Sequence, residues 1–286
     1  MKSNIAVSIQ ARLLTIARER GEEFNLLLTR YAMERFLYRL SVSEAGNRYL
    51  LKGALLFSLW FDSPHRPTRD IDLLEIGMAN ETYTISAIKE ICRVRAADGI
   101  RFDPDSISVE QIREDDVYGG LRVKINGRLG NTRCNVQVDI GFGDAVTPGP
   151  EEIDFPVILA EQPVIKLRAY PRSTMIAEKL EAIVSLGMAN SRVKDYYDLF
   201  ALAGEDLPPE SIAEAIVATF NRRRTPLPED TPLGLSDEFA GDDGKRAMWS
   251  AFRSRNRIAA PELGHVVNGI RSFVTEPLRL AREQRH

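Results

Sequence analysis

Two aspartates stand one residue apart, at positions 70 and 72, in the largely apolar segment from residue 49 to residue 76. Because successive side chains of a strand point to opposite faces, Asp70 and Asp72 would share one face and the apolar residues beside them the other. Two carboxylates on one face repel each other, and hard cations such as Mg²⁺ bind carboxylates together with substrate phosphates. The pair therefore indicates a metal site, with a solvent-facing strand end as the alternative for an isolated Asp-x-Asp.

The segment before this pair predicts a strand, a turn and a helix. Its sequence is LLKGALLFSLW, residues 50–60, and the apolar run after Gly53 is long enough for about two helical turns that end before Asp62-Ser63-Pro64. A glycine in the turn lets the backbone approach a ligand closely, and the amides at a helix N-terminus favour anions such as phosphate. This order of elements predicts phosphate binding near the paired aspartates.

Apolar residues alternate between residues 102 and 158, as is typical of antiparallel strands. The dipeptides Asn126-Gly127 and Gly130-Asn131 supply turn residues between two of these strands. In the segment CNVQVDIGFGD, alternation sends Asp139 to the polar face of a strand whose other face packs. Asp144 is the rival carboxylate, but it lies beyond two glycines where the strand should end.

A lysine falls on the apolar stripe of a helix predicted to end near Leu186. Lys179 shares this stripe at spacings of three and four residues, and a lysine there commonly extends to water or pairs with a nearby carboxylate. The following segment, SRVKDYYDLF, places Asp195 and Asp198 on one face of the next helix. These observations leave the role of the lysine open between packing and chemistry.

The order Lys52-Gly53-Ala54, a helix, and then RPTRDIDL resembles the start of a nucleotidyltransferase of the DNA polymerase β type. Within that superfamily the chain resembles the AbiEii/AbiGii-type (MenT-like) toxins over roughly residues 49–200. The resemblance implies an α/β (α+β) fold: a nucleotidyltransferase core with a mixed, largely antiparallel sheet, flanked by N-terminal helices and a C-terminal helical domain. We expect N-terminal helices over residues 1–48, the core over 49–170 and the helical domain over 171–286.

The resemblance also implies roles for particular residues. Asp70 and Asp72 would hold metal ions, Mg²⁺ or Mn²⁺, with the triphosphate of the NTP substrate, and Asp139 on a neighbouring strand would complete the metal site. The family carries a lysine and an Asp-x-x-Asp on consecutive helices, so Lys179 would neutralise phosphate charge and Asp195 would orient it. The expected phosphate contacts are Lys52, Gly53, Ala54, Arg66 and Arg69.

One position departs from the superfamily pattern. The glycine of the turn is usually followed by serine or another hydroxyl residue, and Ala54 stands there in this chain. Any phosphate contact from Ala54 would therefore come from its backbone alone. This departure affects nucleotide binding rather than the metal site.

The composition is that of a globular protein, with 44% hydrophobic and 28% charged residues over 286 positions. A net charge of −3 gives no overall attraction for nucleic acid, so an RNA surface would need local clustering of basic residues. Arginines of the C-terminal segment are the candidates for such a patch. They are Arg222, Arg223, Arg224, Arg253, Arg255, Arg257, Arg271, Arg279, Arg282 and Arg285.

The sequence carries no targeting or membrane signal. Its beginning lacks the apolar core of a signal peptide, and no apolar run approaches the roughly 20 residues that cross a bilayer. Cys92 and Cys134 lack the spacing of a metal site. We therefore expect a cytoplasmic, reduced protein with no membrane partner.

The resemblance implies the toxin of a toxin–antitoxin system that transfers nucleotides from NTP to an RNA. The favoured acceptor is the tRNA 3′ end, which would block translation, and the expected partner is a cognate AbiEi-like antitoxin. A nucleotidyltransferase that modifies a small molecule, as antibiotic-modifying enzymes do, or a protein is the enzymatic alternative. A catalytically inactive binding or regulatory protein on the same fold is the alternative from another class.

Two other enzymes that use paired aspartates fit the sequence less well. A glycosyltransferase would begin with a parallel βαβ nucleotide-binding half, and residues 102–158 have the pattern of antiparallel hairpins instead. A haloacid-dehalogenase-like phosphatase would need a threonine shortly after its second aspartate, where this chain has Leu73-Leu74-Glu75.

Overall fold

The structure is a computed structural model that describes residues 2–61, 65–77, 80–112 and 119–284. The chain divides into two compact units, Met1–Gly143 with Glu151–Ala169 and Asp144–Pro150 with Tyr170–His286. Among the described residues, no helix combines the length and hydrophobicity needed to span a membrane. The expected division into residues 1–48, 49–170 and 171–286 stays a prediction.

The first unit holds four α-helices and ten strands within the described ranges. Its helices are α1 (Lys2–Arg20), α2 (Phe24–Ser41), α3 (Phe57–Trp60) and α4 (Glu81–Arg93). Its strands are β1 (Tyr49–Lys52), β2 (Asp70–Glu75), β3 (Ile100–Phe102), β4 (Ser108–Ile112), β5 (Gly120–Ile125), β6 (Gly127–Leu129), β7 (Thr132–Arg133), β8 (Val136–Phe142), β9 (Glu151–Phe155) and β10 (Ile165–Ala169).

Seven strands form one sheet in the order β4-β5-β8-β2-β1-β10-β9. The pairs β2–β8 and β1–β10 are parallel, and the other four pairs of this sheet are antiparallel. Strands β3, β6 and β7 form a second, antiparallel sheet. The predicted mixed, largely antiparallel sheet is therefore confirmed.

The core of the first unit lies on the apolar face of the large sheet. Ile71 and Leu73 of β2 are fully buried, while Asp70 and Asp72 between them are half-buried on the other face. Helix α2 packs against β8, β10 and α4. Burying a side chain of this size stabilises the fold by about 1.5–3 kcal/mol, so the alternation in β2 fixes which face carries the carboxylates.

The helical segment after Gly53 has about the length that the sequence predicts, but only its second half is α-helical. A 3₁₀ turn, Gly53–Leu56, leads into the single α-turn of α3, and Phe61 is extended. The ring of Phe57 stacks on Phe61 and His65, with centroids 5.8 and 4.1 Å away, so aromatic side chains pack together where the helical segment ends. The predicted stop at Asp62-Ser63-Pro64 lies outside the described residues.

Asn126-Gly127 lies between two antiparallel strands, β5 and β8, as predicted, but it leads into further strands instead of forming a turn of its own. Gly127 begins β6, and the chain passes there from the large sheet to the small one. A Cβ atom on Gly127 would lie 2.4 Å from the carbonyl oxygen of Cys134, so only glycine permits this close crossing. The second predicted turn, Gly130-Asn131, does join β6 to β7.

A buried ion pair attaches the small sheet to α2. Arg39 donates from Nη1 and Nη2 to the two carboxylate oxygens of Asp98, at 2.6 and 3.0 Å, and also to the carbonyl of Ile100 at the start of β3. The two side chains are only 2% and 1% exposed. Because either charge alone would be costly away from water, the pair holds β3 in place.

The second unit is helical. Its helices are α5 (Arg172–Leu186), α6 (Val193–Leu202), α7 (Pro209–Arg223), α8 (Asp237–Gly241), α9 (Asp243–Asn256) and α10 (Leu263–Glu283). Helix α7 packs against α5 and α10, and α10 also contacts α6 and α8. Fully buried side chains such as Ile176, Phe220 and Val267 form the core between them.

Candidate active site

Three carboxylates of the first unit meet on the polar face of the large sheet. One oxygen each from Asp70, Asp72 and Asp139 lies within 4.8 Å of the others. The parallel pairing of β2 with β8 sets Asp72 directly beside Asp139. A donor set made only of carboxylate oxygens fits a hard divalent cation such as Mg²⁺ or Mn²⁺.

The backbone of the glycine turn lies against one of these carboxylates. Strand β1 pairs with β2 so that Lys52 is opposite Asp72, and Gly53 follows with a φ of +74°. A Cβ atom on Gly53 would lie 1.9 Å from Oδ2 of Asp72. Both the left-handed backbone and the lack of space therefore require glycine at this position.

An arginine that sequence reasoning missed binds the third carboxylate. Strand β5 places Arg122 opposite Asp139, and its Nε and Nη2 donate to Oδ1 and Oδ2 at 2.9 and 2.7 Å. Gln137 donates to the same Oδ1 at 3.2 Å. The hydrogen bonds to Asp139 raise the pKa of Arg122. This bidentate contact fixes the carboxylate and offsets part of its charge.

The other predicted phosphate contacts lie on the two segments next to the paired aspartates: the end of β1 with the turn that follows it, and the segment before β2. Lys52 ends β1 and is half-buried, and Ala54 follows Gly53 in the 3₁₀ turn. Arg66 is half-buried and Arg69 is exposed, both in the segment that leads into β2. In that segment, Thr68 donates a hydrogen bond from its hydroxyl to Oδ1 of Asp70.

Lys179 lies in the second unit, where it forms two ion pairs. Its Nζ donates to Oδ1 of Asp195 at 2.9 Å and to Oδ2 of Asp198 at 2.7 Å. The two carboxylates are 1% and 0% exposed, and Lys179 is 10% exposed. The predicted contact with Asp195 is present, and Asp198 is a second partner whose spacing of three residues from Asp195 was the available signal.

Burial raises the pKa of Asp195, but the ammonium of Lys179 and the guanidinium of Arg192 outweigh burial and hold that pKa below its ordinary value. Arg192 donates from Nε to Oδ2 of Asp195 at 2.6 Å. Asp195 is thus held between two cations and is ionised at neutral pH.

The rival carboxylate, Asp144, belongs to a different group in the second unit. Nη2 of Arg223 lies 3.6 Å from the carboxylate of Asp144 and 3.6 Å from that of Glu178, and Nη1 of Arg223 donates to Glu181 at 2.7 Å. Three carboxylates therefore surround Arg223. This arginine is a structural ion-pair partner and not the solvent-facing residue of the predicted RNA patch.

Other arginines of the predicted C-terminal patch are also paired. Arg253 contacts Glu262, Arg271 contacts Asp237, and Arg279 contacts Glu276 and Glu283. Arg282 donates to the carbonyl of Glu229. Arg224, Arg255 and Arg257 are exposed, and Arg285 lies outside the described residues. Carboxylates of the second unit therefore already neutralise several of the arginines that were expected to bind RNA.

The charge state of Asp195 predicts a pH dependence of stability. Because its pKa is lower in the folded than in the unfolded chain, its contribution to the free energy of unfolding is present above the ordinary value of 3.8 and is lost as the pH falls through the folded pKa. We expect Asp195→Asn to lower that free energy at neutral pH by about 3 kcal/mol. The difference from wild type should shrink below pH 3.8.

Urea unfolding at successive pH values measures this difference. Asp206→Asn is the matched control, since Asp206 is an exposed carboxylate of the same unit, and this change should alter stability by less than about 0.5 kcal/mol. A difference between Asp195→Asn and wild type that stays constant below pH 3.8 would contradict the pairing of Asp195 with the two cations.

Comparison with solved structures places the fold among nucleotidyltransferase toxins. MenT4, a nucleotidyltransferase toxin from Mycobacterium tuberculosis H37Rv, is 18% identical, with a TM-score of 0.61 over 96% of this chain and 92% of that chain. JHP933 from Helicobacter pylori is 15% identical, with a TM-score of 0.49 over 91% of this chain and 95% of that chain. At these identities the likeness concerns the fold alone.

Among proteins with curated functions, none matches the chain in sequence. The family comparison is extensive: residues 35–274 match the family described as "Nucleotidyl transferase AbiEii toxin, Type IV TA system". The matched range includes the three clustered carboxylates, the glycine turn and Lys179 with its partners. The chain is therefore a nucleotidyl-transferring enzyme that belongs to the AbiEii toxin family of type IV toxin–antitoxin systems.

Proposed function

We propose that this toxin transfers nucleotides from an NTP to the 3′ end of an RNA, with tRNA as the acceptor, and that the modified tRNA no longer supports translation. The group of Asp70, Asp72 and Asp139 is the observation that carries this proposal. Three carboxylates within 4.8 Å of one another suit a metal-bound triphosphate better than a neutral ligand.

Asp70 and Asp72 would hold both metal ions, Mg²⁺ or Mn²⁺, together with the triphosphate, and Asp139 would complete the site for the acceptor hydroxyl. The bound metal would supply charge stabilisation for the attacking and leaving oxygens. Arg122 and Gln137 would keep Asp139 oriented through their hydrogen bonds to its carboxylate.

In the proposed reaction, the 3′-hydroxyl oxygen of the acceptor attacks the α-phosphorus of the NTP. A new oxygen–phosphorus bond forms, the bond between the α-phosphorus and the oxygen that bridges it to the β-phosphate breaks, pyrophosphate leaves, and the hydroxyl proton passes to water. The amides of Gly53 and Ala54 would bind phosphate oxygens, because the glycine turn lies against Asp72. Lys52, Arg66 and Arg69 would supply positive charge to the same phosphates.

Lys179 keeps its proposed role in neutralising phosphate charge, and Asp195 its role in orienting Lys179. The support for the second role is their hydrogen bond of 2.9 Å. Asp198 would share that role, because it accepts from the same Nζ at 2.7 Å.

The partners follow from the family and from the proposed acceptor. Membership of a type IV toxin family implies a cognate antitoxin, and we propose an AbiEi-like protein. The tRNA acceptor and the NTP pool place the proposed reaction in the cytoplasm.

Substitution of the three carboxylates tests the proposal. We expect Asp70→Asn, Asp72→Asn and Asp139→Asn each to lower transfer by about 100-fold or more, since each removes a charged ligand from the reacting groups. The assay incubates purified protein with Mg²⁺, each α-labelled NTP in turn, and total tRNA. Thermal unfolding of each variant verifies that it is folded.

Asp154→Asn is the matched control, because Asp154 is an exposed carboxylate on β9 of the same sheet, and its activity should equal that of wild type. Near-normal turnover in any of the three test variants would show that the substituted residue is not a ligand at the site. Label that appears on a protein or small metabolite, with none on RNA, would overturn the proposed acceptor.

The glycine turn gives a separate prediction. Gly53→Ala should displace the carboxylate of Asp72, because the new Cβ atom would lie 1.9 Å from its Oδ2. We expect Mn²⁺ affinity to fall by about 10- to 100-fold, the effect of disturbing a residue that orients a ligand. Isothermal titration with Mn²⁺ measures it, and Gly264→Ala, where no atom lies within 4 Å, is the control. Equal affinities in both variants would show that the turn does not position Asp72.

A further inference from the structure

Three arginines lie side by side across the small sheet of the first unit. In the register of its strands, Arg101 on β3 is directly opposite Arg128 on β6, and Arg128 is directly opposite Arg133 on β7. All three side chains are exposed. Neighbouring strands are about 4.8 Å apart, so the sheet presents three positive charges in a row on one face.

In the part of the chain that the structure describes, no hydrogen bond or ion pair joins any of these three side chains to another residue. Like charges directly opposite each other on neighbouring strands destabilise a sheet. Asp103 lies close by, but its carboxylate accepts from the amide of Asp105. The row of arginines therefore has no ion-pair partner among the described residues, in contrast to the paired arginines of the second unit.

The three arginines line one cavity of about 410 Å³ together with Asn126, Asn135 and a single carboxylate, that of Asp103. Guanidinium groups bind phosphate through two parallel hydrogen bonds, and amide side chains contact phosphate oxygens and sugars of nucleic acid. A row of three guanidinium groups suits a ligand with several linked phosphates. The lining therefore fits the backbone of a nucleic acid.

A polar strip connects this cavity to the carboxylates of the large sheet. Strands β5 and β8 are paired up to Ile125 and Val136, and Asn126 and Asn135 come next on the two strands. Alternation places Asn135 on the same face as Asp139, four residues further along the chain. At about 3.3 Å per residue, the cavity begins about 13 Å from Asp139.

We infer that Arg101, Arg128 and Arg133 bind the phosphate backbone of the acceptor RNA while its 3′ end lies beside Asp139. This inference rests on the proposed function, which supplies the acceptor. The RNA strand would follow the polar strip between the two places, past Gln137 and the exposed Lys124 that is opposite it. The arginine row thereby takes the role that the sequence suggested for the C-terminal arginines.

The test compares two triple variants of the full chain. Arg101→Gln/Arg128→Gln/Arg133→Gln removes the row, and Arg18→Gln/Arg20→Gln/Arg93→Gln removes three exposed arginines of the same unit as a control with the same change in charge. Binding to labelled, deacylated tRNA is measured without divalent metal between about 50 and 200 mM KCl. Binding of NTP with Mg²⁺ and transfer to tRNA are measured in parallel.

We expect removal of the row to reduce the slope of log K against log [KCl] by about 2–3, because each lost phosphate contact contributes about 0.7–0.9. The control should keep the wild-type slope, and both variants should bind NTP as wild type does. Removal of the row should not lower the melting temperature, since it relieves repulsion across the strands.

The outcomes separate this inference from the proposed function. Wild-type protein that labels no RNA overturns the proposed acceptor. Wild-type protein that labels tRNA, with slope and labelling equal in the two triple variants, overturns the arginine site alone. A row variant that loses NTP binding while its tRNA slope is unchanged would assign the arginines to the triphosphate and also overturn the inference.

Discussion

The repulsion between Asp72 and Asp139 is the constraint on which the rest of the site depends. These carboxylates are side by side on neighbouring parallel strands, and two unit charges about 5 Å apart repel by about 3 kcal/mol at an effective dielectric constant of about 20. Arg122 offsets part of this repulsion through its bidentate contact with Asp139. The buried residues Ile71 and Leu73 prevent the strand from turning its acidic face away. Divalent cations bound by the three carboxylates would complete the balance of charge, and this is why the arrangement suits nucleotidyl transfer.

Local patterns predicted much of the fold and of the candidate site. The alternation of apolar and polar residues predicted that Asp70 and Asp72 share one face of β2 and that Asp139 lies on the polar face of β8. This was possible because the period of a strand can be read from adjacent residues. Helical spacing likewise placed Lys179 on the packed stripe of its helix and Asp195 and Asp198 on one face of the next, while the contact between Lys179 and Asp195 was expected only from the family resemblance. In each case the apolar residues around the charged ones determine the direction of the side chain, and that information is local in the chain.

Contacts that depend on strand register or on long-range packing were not predictable in this way. Arg122 faces Asp139 only because β5 and β8 pair in one register, and the row that includes Arg128 requires the register of a second sheet. The turn residues of Asn126-Gly127 did not reveal that second sheet, because they mark the point where the chain passes from one sheet to the other. Arg223 appeared to be a surface residue because its three carboxylate partners lie far from it in the sequence.

The central claim is that the clustered carboxylates hold divalent metal together with the triphosphate. Counting bound Mn²⁺ by electron paramagnetic resonance, in the presence of a non-hydrolysable NTP analogue, tests this claim most directly. We predict two tightly bound ions per wild-type chain, as expected for a two-metal site, and none in the variant Asp72→Asn. The same number of bound ions in wild type and in the variant would contradict the account.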